Sequence, residues 1–191
     1  LEDHPISKFQ FHAHTPPYKY LDMEVLTAAN SRRQDAASIY ADIDGFTKYV
    51  GDRADDDEGL KDVARVLHVL RAELDSVLHV DFAGRKVRFI GDCVHGVLVE
   101  GTAANTDAEE TAKSALLCAA ALRSSFALAL EILEAEGLDT GSLGLAIGLE
   151  YGPVAITRLG TKGELIRCCI SRAVLASEEE QLGCSGSETA M

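Results

Sequence analysis

The carboxylates most able to do chemistry in this sequence close two short apolar runs. Asp42 and Asp44 end Ser38-Ile-Tyr-Ala-Asp-Ile-Asp, and Asp92 ends Arg85-Lys-Val-Arg-Phe-Ile-Gly-Asp. Runs of this kind read as buried strands that deliver charge to a sheet edge. Carboxylates there can hold Mg²⁺ or Mn²⁺, and free backbone N–H groups in the turn after Asp42 can hold phosphate. For residues 38–47 alone, a plain strand end with a helix-capping Asp is an equal reading. The second stretch bears against it. A strand with Asp, an intervening helix and then a hairpin tipped by Asp brings two carboxylates together over one sheet.

The elements that must position these residues follow from periodicity. Leu60, Val63, Val66, Leu67, Val69, Leu70, Leu74 and Val77 repeat at helical spacing, which predicts a helix over 60–80 with one face on the sheet. Residues 85–92 and 94–100 read as a hairpin. Thr106-Asp-Ala-Glu-Glu caps and charges a second long helix, which runs to about Glu136 and stops at Gly137. Strands are expected at 143–150, 153–157 and 164–169, and a last helix at 171–181. The order β-α-β-β-α-β-β-β-α predicts an α+β sandwich of ferredoxin-like character, a mostly antiparallel sheet with helices on one face. Residues 1–35 read as an arm and a short helix over 21–33, residues 36–181 as the one folded domain, and 182–191 as a flexible tail.

Within the strand 85–92, alternation puts Lys86, Arg88, Ile90 and Asp92 on one face and Val87 and Phe89 on the other. Arg88 then stands about 13 Å from Asp92, comparable to the reach from a base to its phosphates.

Composition bounds the partners. The chain has 191 residues, 47% hydrophobic and 26% charged, with a net charge of −13. That charge argues against general nucleic-acid or anionic-membrane binding, and any polyphosphate ligand needs metal ions and a local basic cluster. Arg85, Lys86 and Arg88 form one candidate cluster; Arg158, Lys162, Arg167 and Arg172 form another. No apolar run of membrane-spanning length and no signal segment is evident, so a cytoplasmic protein without membrane insertion is expected. The chain opens on Leu1 rather than Met, as a fragment or a tag remnant would. Five cysteines without a C-x-x-C pair point to reduced thiols, and His12 and His14 read as solvated loop residues.

In order and spacing, Ala41-Asp-Ile-Asp-Gly-Phe-Thr47, Phe89-Ile-Gly-Asp92 and Gly148-Leu-Glu-Tyr-Gly-Pro-Val154 resemble the class III nucleotidyl cyclase catalytic domain. The resemblance covers roughly residues 36–181. It implies a lyase that converts a nucleoside triphosphate to a 3′,5′-cyclic mononucleotide and pyrophosphate. Two divalent ions, Mn²⁺ or Mg²⁺, are implied at each site, held by Asp42, Ile43 and Asp92, with Asp44, Gly45, Phe46 and Thr47 along the triphosphate. It also implies a head-to-tail homodimer whose composite sites join the metal half of one protomer to the base half of its partner. The family's Asn and Arg on the last helix are replaced here by Val174 and Glu178; Arg172, Arg167 or Lys162 are the available positive charges.

At the two base-reading positions, Arg88 and Arg167 stand where adenylate cyclases have Lys and Asp and guanylate cyclases have Glu and Cys. Arginine only donates hydrogen bonds, so a donor-only site suits the acceptor edges of cytosine or uracil; guanine O6 and N7 also satisfy an Arg fork. The chain therefore resembles the bacterial pyrimidine cyclases of antiphage signalling (the Pycsar type), with CTP and UTP both open. The alternatives are an adenylate or guanylate cyclase, a diguanylate cyclase, whose signature is broken at Ile90, Cys93 and Val94, and a catalytically silent nucleotide-binding module.

Overall fold

Two long strands carry the molecule. In the computed structural model, which describes residues 9–13, 21–102, 105–161 and 163–191, β2 spans Ser31–Asp44 and β7 spans Gly144–Leu159, paired antiparallel from Arg32↔Ile156 to Asp44↔Gly144. Around them lie β3 (Arg85–Ile90), β4 (Cys93–Leu98) and β8 (Ile166–Ile170), giving the order β3-β4-β2-β7-β8. Short strand β1 (Phe11–Ala13) adds in parallel to β2. A separate ribbon joins β5 (Glu100–Gly101) to β6 (Thr106–Asp107).

Alternation along β2 sorts its side chains between two cores. Ala37, Ile39, Ala41 and Ile43 face α1 (Phe46–Gly51), α2 (Asp57–Ser76) and α3 (Ala108–Ala135), packing with Val66, Leu70, Leu74, Leu122 and Phe126. Ala36 and Tyr40 face the other side, in a cluster with Leu21, Met23, Leu26, Val97, Val154 and Val174. Helix α4 (Arg172–Gly183) lies on this second face.

The class is thus α+β with a mostly antiparallel sheet, as expected, but helices cover both faces. Gly148 is the physical reason: a Cβ there would lie 2.0 Å from the Ser177 carbonyl oxygen, so only glycine lets α4 settle on β7.

Other local expectations change. The strands expected at 143–150 and 153–157 are one continuous β7. The short helix over 21–33 is instead two 3-10 turns, Met23–Val25 and Ala28–Asn30, followed by β2. The tail is ordered: β9 (Thr189–Ala190) pairs in parallel with β7, and the Gly186 N–H donates to Asp44 Oδ2 at 2.6 Å.

By length and composition α3 could cross a membrane, contrary to the sequence expectation. Its inner side, however, is buried against the sheet through Ala115, Cys118, Leu122 and Phe126. His14, Lys162 and most of the N-terminal arm lie outside the described residues.

Candidate active site

Asp42 sits near the end of β2, on the face that α4 covers, and Asp92 in the turn between β3 and β4. Both line one open cleft of about 510 Å³ with Ile43, Asp44, Gly45, Phe46, Thr47 and Lys48. The turn depends on Gly45, whose φ of +81° lies in the left-handed region. Burial first, then the charges of Asp92 and Asp44, raise Asp42 to about 6. Burial likewise raises Asp92, against a hydrogen bond from its own backbone. Two half-buried carboxylates that repel each other, with no cationic side chain paired to either among the described residues, form a donor set that suits a hard divalent cation.

The other residues of the turn divide by role. The Ile43 side chain is buried in the core, which leaves only its backbone oxygen eligible as a ligand. Asp44 is taken up by the Gly186 N–H. Phe46 packs inward beside Tyr49, with ring centroids 6.1 Å apart, while Thr47 is exposed. Among the described residues, no group of three or more His, Cys, Asp or Glu gathers as a metal site.

Arg88 is reached by a route that alternation alone does not predict. Lys86 pairs with Gly96 and Arg88 with the next residue, His95, leaving Val87 as a bulge. Lys86 therefore leaves the face of Arg88: its ammonium pairs with Asp75 of α2 and lies 4.6 Å from the Phe89 ring. Val87 joins the Tyr40 cluster instead. Arg88 stands beside His95, and His95 beside Tyr40, across three neighbouring strands. The His95 ring stacks on Tyr40 at 4.2 Å and 13°. Burial and then the Arg88 charge push His95 down to about 3, so it is neutral. Its Nε2 is 3.2 Å from Ser38 Oγ, which is 2.8 Å from Ser177 Oγ of α4. Arg88 Nε is buried without a hydrogen-bond partner.

Arg167 does not join Arg88. Its Nε and Nη2 donate to Glu24, and its Nη1 donates to the Lys86 carbonyl at 2.8 Å. Arg158 also donates to the Glu24 carbonyl. Glu24, on the first 3-10 turn, thus holds two members, Arg158 and Arg167, of the basic cluster expected to meet a nucleotide. Arg172 is exposed at the start of α4, near the level of Gly152, which pairs with Ala36. Six strand residues separate that level from Asp42, about 20 Å, so within one chain Arg172 does not reach the carboxylates.

Sequence reasoning missed Tyr40, His95 and Glu24. Tyr40 was findable, since Ser38, Tyr40 and Asp42 recur at strand period on one face; nothing local marks Glu24.

A sheet of this topology with a two-carboxylate cleft defines a class, and sequence comparison agrees. The profile of the adenylate and guanylate cyclase catalytic domain matches residues 29–186, and the chain belongs to that family. It is similar to a uridylate cyclase of Pseudomonas aeruginosa, at 54% identity over 100% of this chain and 37% of the relative. It is also similar to a uridylate cyclase of a Rhizobium species, at 48% identity over 97% of this chain and 35% of the relative. The chain spans just over a third of the length of these curated relatives.

Among solved structures, a class III adenylyl cyclase-like ATP-binding protein from Pseudomonas aeruginosa superposes with a TM-score of 0.91 at 54% identity, over 100% of this chain and 40% of that one. The adenylyl cyclase CyaB from the same organism gives 0.71 at 19% identity, over 84% and 78%, a likeness of fold.

Proposed function

We propose that this chain is the catalytic domain of a pyrimidine nucleotide cyclase that converts UTP to 3′,5′-cyclic UMP and pyrophosphate. The single observation that carries the chemistry is the Asp42–Asp92 pair, two mutually repelling carboxylates at an open cleft. The choice of UTP rests on the two uridylate cyclases that are similar over nearly the whole chain.

Asp42 and Asp92, with the Ile43 backbone oxygen, would hold the divalent ions. When bound, such ions neutralise the α-phosphate and lower the pKa of the attacking 3′-hydroxyl. The chain's own residues orient the substrate. The turn through Gly45 to Thr47 lies along the triphosphate, and Arg88 donates to a carbonyl oxygen of the base. Arg167, held by Glu24, acts on the base only by bracing the strand of Arg88. The stacked, buried and neutral Tyr40–His95 pair backs the strand position of Arg88.

The site is completed by a second copy. Arg88 stands on β3 four residues before Asp92 and across β4 from the strand of Asp42, and β8 and α4 expose Ile166, Ile170, Leu175 and Leu182. An antiphage signalling role is supported only by the resemblance to the Pycsar type.

Turnover with each of ATP, GTP, CTP and UTP in Mn²⁺, followed as pyrophosphate and cyclic product, tests the reading. Cyclic UMP is expected as the dominant product; dominant cyclic AMP contradicts it.

A further inference from the structure

The helix α4 brings a carboxylate to the base-reading side of the sheet. Gly148 admits the α4 backbone, and the Ser177–Ser38 hydrogen bond of 2.8 Å sets the helix at the level of β2 two residues before Tyr40. On that helix Val174 is buried in the cluster that holds Tyr40, Cys93 and Val97. Glu178 follows Val174 by four residues, so it lies one turn further along the same face. It is half-buried, and no hydrogen bond or ion pair holds it among the described residues. Arg88 Nε is likewise buried and unpartnered. Both border Tyr40: Arg88 stands across His95 from it in the sheet, and Val174, one turn before Glu178, packs in its cluster. After burial, the largest influences on its hydroxyl are Glu178, which raises it, and Arg88, which lowers it. An unpaired acceptor on α4 and an unpaired donor on β3 thus border the buried Tyr40 on one face of the sheet.

We propose that Glu178 accepts the N3–H of uracil while Arg88 donates to a neighbouring carbonyl oxygen, and that this pair separates UTP from CTP. The inference rests on the UTP reading given above and names the residue that enforces it. Uracil presents O4, N3–H and O2, in the order acceptor, donor, acceptor. Cytosine presents its 4-amino group, N3 and O2, so an acceptor lone pair on N3 meets the carboxylate. That contact is repulsive and leaves the half-buried Glu178 without a hydrogen. Adenine N1 fails for the same reason. Guanine shares O6 and N1–H with uracil, so the pair sets uracil against cytosine and adenine and not against guanine.

The test compares UTP with CTP in the wild-type chain and in Glu178→Gln and Glu178→Ala. The ratio of kcat/KM for UTP over CTP is expected to fall about tenfold or more in both variants. The loss should appear mainly as a raised KM for UTP, with the unfolding temperature unchanged. Equilibrium binding of 3′-deoxy-UTP and 3′-deoxy-CTP, which lack the nucleophile, reads the same ratio independently of turnover.

An unchanged ratio in both variants overturns the role of Glu178 while wild-type preference for UTP leaves the cyclase reading standing. An equal loss for both nucleotides also overturns it, because it marks a general structural effect. A wild-type chain that prefers a different triphosphate removes the UTP reading itself, and this inference with it.

Discussion

Asp42 holds its proton up to about pH 6, above its ordinary value of 3.8, because burial and two neighbouring carboxylates oppose ionisation. The sign of the consequence is definite. A raised folded pKa favours the folded state below the unfolded value, and that contribution is lost as pH rises through the folded one. The metal-free protein should therefore lose thermal stability between about pH 4 and pH 6, and Asp42→Asn should flatten that segment in a melting series. Mn²⁺ should raise the melting temperature above this window and much less below it, since protons compete for the same oxygens. Asp42→Asn and Asp92→Asn should each lower turnover at least about a hundredfold while the fold persists, as read by circular dichroism. Substantial Mn²⁺-dependent turnover in either variant contradicts the assignment of the pair.

Among the elements, α4 answers most sharply to a single change. Gly148→Ala puts a methyl group 2.0 Å from the Ser177 carbonyl oxygen and 2.3 Å from the Gln181 nitrogen. Backbone cannot yield as a side chain can, so a destabilisation of about 3 kcal/mol is expected in denaturant unfolding. Ser177→Ala removes one buried hydroxyl and leaves Ser38 bonded to His95, so a loss near 1 kcal/mol is expected.

The legibility of the sequence also divides by element. The two Asp-terminated strands, the long helices and the caps at Asp56, Asp107 and Ser171 follow from local chemistry, and each cap accepts a backbone N–H. The Val87 bulge does not: no Gly or Pro marks it, and it becomes visible only when Lys86 pairs with α2 and Arg88 with the opposite face. The placement of α4 hides in Gly148, which reads locally as an ordinary strand glycine. Glu24 and Arg167 meet across 143 residues, a pairing that no spacing rule reaches.

For the whole molecule, the proposed dimer with its composite site makes a separable forecast. Asp42→Asn lacks one half of the composite site and Arg88→Ala the other. Mixing the two inactive proteins should restore up to about a quarter of wild-type activity, the fraction of sites that statistical heterodimers leave intact. Full turnover by a monomer at high dilution contradicts the shared site.

The Glu24 clasp has a mechanical meaning. Arg167 is gripped by Glu24 on one side and on the other holds the Lys86 carbonyl, one residue before the bulge that aims Arg88. A tug on the stretch ahead of β2 is thus delivered along Arg167 to the strand proposed to face the nucleobase, like slack taken up in a guy-line. Glu24→Ala cuts the line: KM for UTP should rise several-fold in steady-state kinetics, while the Mn²⁺ dependence set by Asp42 and Asp92 stays as it was.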